Sequence, residues 1–202
     1  MDTSLNEKDR NQIQAAILKK YSKVAKNPEG LFNYPTGRAG LEALRYNAEL
    51  INGMPAAVIN SYCGVGNPFS LDPISTGAAL LDIGCGAGVD TLIAAMMTGP
   101  SGRVCGIDST PEMLKRAQEN LCLTHLQNVT FKKAPAENLP FSDGEFNIVI
   151  SNGALNLVFN KAKALCEAHR VLKPGGRLMV ADQILTGRPP TETEQIIKSW
   201  SQ

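Results

Sequence analysis

Residues 81–88 read Leu-Asp-Ile-Gly-Cys-Gly-Ala-Gly, and this run constrains the chain more than any other. Glycines at the end of an apolar strand let the backbone turn tightly and approach a ligand, with a helix N-terminus just behind. The spacing is GxGxG, and Val89 stands where the GxGxxG of a dinucleotide fold wants its third glycine. Asp82, immediately before the loop, suits a ligand bearing an amine and disfavours a pyrophosphate. Asp108 closes the next apolar run, twenty residues beyond Gly88, where a carboxylate can accept two hydrogen bonds from a ribose diol.

Around this loop the pattern alternates between short apolar runs and helical periodicity. Leu80–Ile83 reads as a first buried strand, Val89–Thr98 as a helix stopped by Gly99-Pro100, and Val104–Ile107 as a second strand. The next helix has Thr110 at its N-cap and Pro111 at its first position, with Met113, Leu114, Ala117 and Leu121 on one face. Val129–Phe131, Phe146–Ile150 and Arg177–Ala181 complete five strands, and a helix over Lys161–Leu172 leads into Pro174-Gly175-Gly176. This order predicts an α/β fold, a doubly wound and mostly parallel Rossmann-like sheet over residues 78–202. Residues 1–77 read as a helical N-terminal cap, with Ile13, Ile17, Tyr21 and Val24 in one helix and Leu41, Leu44, Ala48 and Ile51 in another. Thr191–Glu194 has a capping-box pattern and opens an amphipathic helix that includes Ile196, Ile197 and Trp200.

From Ala79 to about Leu185, roughly half its length, the chain resembles the class I S-adenosylmethionine-dependent methyltransferases. The resemblance implies that S-adenosyl-L-methionine is the cofactor. Asp82, Gly84, Cys85, Gly86 and Gly88 would surround its methionine part, Asp108 would hold the ribose, and Ser109 and Met113 would flank the adenine. The run Ala134–Phe141 is similar to the family's adenine loop, which brings Ala136 and Glu137 to the base; Pro135 stands where many relatives carry an acid. Arg170–Gly176 is similar to the family's turn into the fifth strand, a structural element, and Asn147 stands where Phe-Asp is common. The family carries two further strands, an antiparallel hairpin after the fifth. On that comparison the fold is expected to be C-terminally incomplete, with a homo-oligomer covering an open sheet edge.

A closer resemblance, to the arsenite methyltransferase branch, rests on Gly64-Val65-Gly66-Asn67-Pro68, on Ala87-Gly88-Val89-Asp90 at the loop exit and on Ser151–Leu157. In that branch each segment carries a cysteine that helps hold trivalent arsenic; this chain has Val65 and Gly153 there. The acceptor implied is a small molecule, arsenite or another soft nucleophile, and the alternative is a catalytically incomplete cofactor-binding sensor or subunit. The family places the acceptor above the fourth strand's end, at Ser151, Asn152 and Asn156, with Tyr34, Cys63 and Asn67 in a covering lid. Asn152 and Cys63 are the candidate catalytic residues, and Asn152 also borders the cofactor. His125 and His169 read as solvated surface residues.

Charge and composition narrow the partners. The formal net charge is +1 and no Lys/Arg cluster marks one stretch, which argues against nucleic acid. No apolar run is long enough to span a membrane. The five cysteines lack CxxC spacing, which predicts neither a metal site nor a disulfide framework. With the polar N-terminus Met1–Gln12 they place the chain in the cytoplasm.

Overall fold

Leu80 and Leu81 are adjacent in sequence, yet they sit in two different hydrophobic clusters on opposite faces of one sheet. Ile148 and Val149 part in the same way, so these strands are buried on both faces and read as continuous apolar runs rather than alternating ones. The computed structural model describes residues 6–184 and 187.

The five strands are β1 (Ala79–Ile83), β2 (Arg103–Asp108), β3 (Val129–Lys133), β4 (Phe146–Asn152) and β5 (Leu172–Ala181). They form one sheet in the order β3-β2-β1-β4-β5, and every pairing is parallel. The chain therefore runs outward from β1 to β3, then crosses back to β4 on the other side of β1. This crossing leaves a crevice at the carboxyl ends of β1 and β4. Strand β5 begins five residues earlier than the sequence predicts. Its pairing with β4 includes Phe146 with Leu172 and absorbs the glycine turn as a register shift before Ile148 and Arg177. The helix before it accordingly ends at Val171.

Among the described residues the N-terminal region consists of helices joined by turns, with no strand. Helix α1 (Glu7–Val24) starts at a capping box in which Asn6 and Asp9 exchange hydrogen bonds at 3.0 and 3.3 Å. The second expected helix is divided into α2 (Gly37–Ala43) and α3 (Ala48–Asn52), because Arg45 takes a left-handed φ of 58° and Asn47 restarts the helix as its N-cap. Helix α4 (Ala56–Ile59) and a 3₁₀ turn at Pro68–Ser70 lead to β1.

Leu41, Ile51, Val58 and Tyr62 from this region share one core cluster with Leu80, Leu92 and Ile150. That cluster includes α5 (Val89–Thr98), while α7 (Lys161–Val171) covers the opposite face through Ala164, Ala168 and Val171. Helix α6 (Pro111–Cys122) packs against β2 and β3 and also against α1. Among the described residues no helix is long and apolar enough to cross a membrane. The predicted helix around Trp200 lies outside the described residues.

Candidate functional site

The crevice at the strand ends is a cleft whose floor is the glycine loop. Gly84, Cys85 and Gly86 line it, and Asp108, Ser109 and Met113 form one side. Ala136 and Glu137 also line it, Cys63 packs near Met113, and Asn152 and Gly153, at the end of β4, lie across β1 from Asp108, at the end of β2. Gly86 has a φ of +53°, and a Cβ placed there would meet nothing nearer than the Met113 methyl at 3.9 Å. The backbone is therefore open to a ligand at this point.

Asp108 is fixed by the loop it faces. One carboxylate oxygen accepts from the Gly86 amide at 3.0 Å and the other from the Thr110 amide at 2.7 Å. A carboxylate has about four acceptor positions, so two stay free toward the cleft, enough for a vicinal diol. Burial pushes the Asp108 carboxyl above its ordinary range, and the Thr110 and Gly86 amides pull it back.

Two expected residues do not line the cleft. The Asp82 carboxylate, 1% exposed, accepts a hydrogen bond from the Thr91 hydroxyl at 2.6 Å, beneath the loop. Burial and the nearby Asp90 charge push its carboxyl up to about 8. The carboxylate that does reach the cleft is Asp90, in the first turn of α5. Gly88 is also outside it; a Cβ there would meet Phe131 Cζ at 2.7 Å and the Ala117 methyl at 3.1 Å. Its role is close helix–sheet packing.

Asn152 joins the two halves of the site. Its Oδ1 accepts from the Val65 and Gly66 amides at 2.9 and 3.1 Å. Its Nδ2 donates toward Asp90 and the Gly66 carbonyl, both at 2.8 Å, with the Tyr46 and Tyr62 hydroxyls at 3.2 Å. Tyr46 in turn donates to Asp90 at 2.8 Å. The end of β4 is thus tied to the 62–66 segment through a buried polar knot, which holds up one wall.

The other wall, residues 134–141, is held from behind by α7. Arg170 donates to the Leu139 and Phe141 carbonyls at 3.1 and 2.8 Å and pairs with Glu167 and Asp143 at 2.7 and 2.8 Å. Glu167 accepts from the Leu139 amide at 2.7 Å, and the adjacent guanidinium holds its carboxyl down at about 2.

Cys63 lines the cleft, and burial first, with the Asp90 and Asp108 charges adding to it, pushes its thiol up to about 12. It stays protonated at neutral pH and offers no thiolate. Val65 and Gly153 are neighbours: a Cβ on Gly153 would meet both Val65 methyl groups at 3.3 Å. This contact is apolar. Ser151 is buried and donates to the Ile83 carbonyl at 2.9 Å, while Asn67 caps the 3₁₀ turn through the Phe69 amide. Asn156 lies outside the cleft lining, and its side-chain oxygen is buried with no hydrogen-bond partner among the described residues. Tyr34 donates to the Cys63 carbonyl at 3.1 Å. His125 and His169 are exposed and away from the cleft.

Sequence reasoning noted Asp90 only as part of the loop exit and not as a group lining the cleft, and it missed Tyr46 and Tyr62. A hydrophobic run with one Asp after the glycines signals only a helix start, and the tyrosines converge from distant parts of the chain. It also missed the inner face of α1, where Gln14, Ile17, Leu18 and Tyr21 roof the cleft. The apolar spacing of Ile17 and Tyr21 was the available signal for that face.

A parallel sheet with a glycine floor and an acid closing β2 defines a nucleoside-binding domain of the Rossmann-like class. Residues 74–202 match the family described as "Methyltransferase domain", and the chain belongs to that family. An arsenite methyltransferase of Halobacterium salinarum is 30% identical over a 207-residue alignment covering 96% of this chain and 53% of that protein. A ubiquinone/menaquinone biosynthesis C-methyltransferase, UbiE of Pasteurella multocida, is 41% identical over 110 residues, 54% of this chain and 41% of that protein. Among solved structures, CrArsM, an arsenic (III) S-adenosylmethionine methyltransferase from Chlamydomonas reinhardtii, superposes with a TM-score of 0.56 at 33% identity. That match covers 74% of this chain and 50% of that one. The chain spans about half the length of the curated arsenite methyltransferase from Halobacterium salinarum.

Proposed function

We propose that this chain is an S-adenosylmethionine-dependent methyltransferase whose acceptor is a small, soft nucleophile such as a thiol or arsenite. The single observation that carries the reading is the pairing of Asp108 with the Gly86 amide at 3.0 Å across an open glycine floor. That arrangement fits an adenosine: Asp108 holds the ribose, Ser109 and Met113 flank the base with Ala136 and Glu137, and Gly84, Cys85 and Gly86 underlie the methionine.

The cofactor supplies a methyl group on a sulfonium, which leaves in an in-line displacement. The chain aligns the acceptor, excludes water and holds the walls. Neither a histidine nor a lysine lines the cleft among the described residues, and its carboxylates are Asp90, Asp108 and Glu137. Asp90 and Asp108 are held in place by hydrogen bonds to the walls and Glu137 sits with Ala136, so among the described residues no imidazole or amine stands in the cleft to deprotonate an acceptor. A soft nucleophile needs little base assistance, whereas a hydroxyl would need a base of matched pKa. Asn152 acts as a positioning residue for the 62–66 wall and not as an acid or base.

Helix α1 spans the opening, with Arg10 over the Phe159 ring at 6.0 Å and its body against α6, so it serves as the lid of an N-terminal cap over residues 1–77. The free cysteines support a reducing cytoplasmic setting, and a second copy of the chain covers the β5 edge. A second reading, a cofactor-binding sensor or subunit, draws on the apolar Val65–Gly153 contact.

Calorimetric titration with S-adenosylmethionine and with NADH tests the cofactor. Binding of NADH without S-adenosylmethionine would refute the assignment. Methyl transfer to a panel of arsenite, small thiols and phenols tests the acceptor. Turnover of thiol or arsenite supports the proposal, turnover of phenols alone overturns the soft-nucleophile reading, and cofactor binding without turnover favours the sensor.

A further inference from the structure

One side of the cleft has no task in the cofactor assignment. Asp108, Ser109 and Met113 follow β2, and Ala136 follows β3, so the residues assigned to the nucleoside lie on that side of β1. Gly153 and Ala154 follow β4, on the other side, and close on the glycine floor: a Cβ on Gly84 would overlap the Ala154 methyl. The chain continues from there through Leu157 and Phe159, and α1 reaches over it, with Arg10 above the Phe159 ring at 6.0 Å. Ile17 and Leu18, about two turns further along α1, face the same cleft.

The chemistry of this side is apolar. Ile17, Leu18 and Leu157 line the cleft, and each is only half-buried. Among the described residues none of these three belongs to a hydrophobic cluster of the core or packs against one. Half-exposed apolar side chains gathered on a concave wall, outside the core, mark a surface for an apolar ligand. The charged groups of the lining are Asp90, Asp108 and Glu137, and no Lys, Arg or His joins them among the described residues. An acceptor carrying a carboxylate or a phosphate would meet only like charge there.

The same lining disfavours inorganic arsenic. A soft trivalent centre is held by thiolates. All five cysteines lie among the described residues, and only Cys63 and Cys85 line the cleft. Burial holds both of those thiols protonated at neutral pH. Gly153 is backed by the Val65 methyl groups, and no cluster of three or more His, Cys, Asp or Glu among the described residues is arranged to hold a metal ion.

We infer that the acceptor is an uncharged organic thiol with an apolar alkyl or aryl body, seated between α1 and the 157–159 segment with its sulfur over the glycine floor. This rests on the methyltransferase reading above and narrows its acceptor class. The acceptor's sulfur gives a lone pair to the methyl carbon, and the methyl–sulfonium bond breaks with its electrons left on the cofactor's sulfur. The thiol proton passes to water. The products are a methyl thioether and S-adenosylhomocysteine, and sulfur is soft enough to react without a protein base.

Methyl transfer by the full chain to ethanethiol, 1-hexanethiol, thiophenol, 2-mercaptoethanesulfonate and arsenite, read as S-adenosylhomocysteine formed, tests this. Each buried methylene adds to binding, so hexanethiol should exceed ethanethiol in kcat/KM by at least about tenfold, and thiophenol should exceed mercaptoethanesulfonate similarly. Ile17→Ser and Leu157→Ser lie outside the core clusters. Each should bring the hexanethiol-to-ethanethiol ratio down about fivefold, with S-adenosylmethionine affinity in calorimetry within about twofold of the parent. Loss of cofactor affinity with the ratio unchanged would assign these side chains to the cofactor and overturn the inference. Equal kcat/KM for the two alkyl thiols, mercaptoethanesulfonate matching thiophenol, or arsenite ahead of hexanethiol would overturn it as well. Cofactor binding with no thiol methylated overturns it and leaves the cofactor site standing. Failure to bind S-adenosylmethionine at all would instead remove the methyltransferase reading beneath it, so the two failures are told apart by calorimetry.

Discussion

The two walls of the cleft do the same mechanical work with opposite electrostatics. Residues 134–141 are pinned from the surface side by Arg170, a partly exposed guanidinium that pairs with Glu167 and Asp143. Residues 62–66 are pinned from within by Asn152, Tyr46, Tyr62 and the uncompensated Asp90. Ion pairs near solvent gain little, but they tolerate loss because water replaces the partner. A buried knot is worth more when complete and costs more when broken, since each orphaned group pays its desolvation in full. The wall beside the acceptor is therefore the stiffer and more fragile of the two.

The largest expected effect follows from that contrast. Asn152→Ala leaves the Val65 and Gly66 amides and Asp90 without their partner. It should destabilise the protein by about 3 kcal/mol in denaturant titration and reduce methyl transfer with it. Arg170→Ala should cost less, about 1 kcal/mol, and should weaken cofactor binding at the adenine end more than turnover at saturation. If the two substitutions cost the same, the difference between the walls is not one of burial.

Acid and base should separate the buried loop floor, at Asp82, from the outer wall, at Glu167, by sign. Asp82 rises from 3.8 to about 8 on folding, so the native state binds its proton more tightly than the unfolded chain. That contribution is complete below about pH 4 and is lost as pH rises through about 8. Asp82→Asn, which keeps an acceptor for Thr91, should match the parent near pH 4 and exceed it in stability at pH 9. Glu167 falls from 4.5 to about 2, so its contribution is present above pH 4.5 and is lost as pH drops through about 2. Glu167→Gln should destabilise at pH 7, and the gap should close toward pH 2. Thermal melts of the two variants across pH would show gaps moving in opposite directions; parallel gaps would remove the distinction.

The smallest effect is expected at Cys63. Its protonated thiol should resist alkylation at pH 8, while the exposed Cys122 and Cys166 react. Mass spectrometry of iodoacetamide-treated protein reads this directly. Cys63→Ser should change cofactor affinity by less than about threefold, within the usual range for a substitution that breaks no ion pair.

Much of the fold was legible because it depends on local pattern. The Leu80–Ile83 and Val104–Ile107 runs, the Thr110-Pro111 helix start and the Gly99-Pro100 stop each act within a few residues, and the sheet formed from them accordingly. The division of α2 from α3 was not legible, since Leu41, Leu44, Ala48 and Ile51 keep helical spacing across the left-handed Arg45. The early start of β5 was likewise hidden, because pairing with Phe146 draws the glycine turn into the strand.

For the site, the chain's own order determined the glycine floor and the position of Asp108, which need only a strand, a tight turn and fixed spacing. Which carboxylate faces the cleft was decided in three dimensions. Asp82 and Asp90 both border the loop in sequence, but the hydroxyl of Thr91 engages one, while Tyr46 and Asn152 hold the other at the surface of the cleft. Those partners are 44 and 62 residues from Asp90, and no local pattern records such a meeting. Packing also set Val65 against Gly153 and left an apolar contact there. Sequence spacing specifies where a backbone can come close to a ligand; desolvation and distant hydrogen bonds decide which charge it meets there.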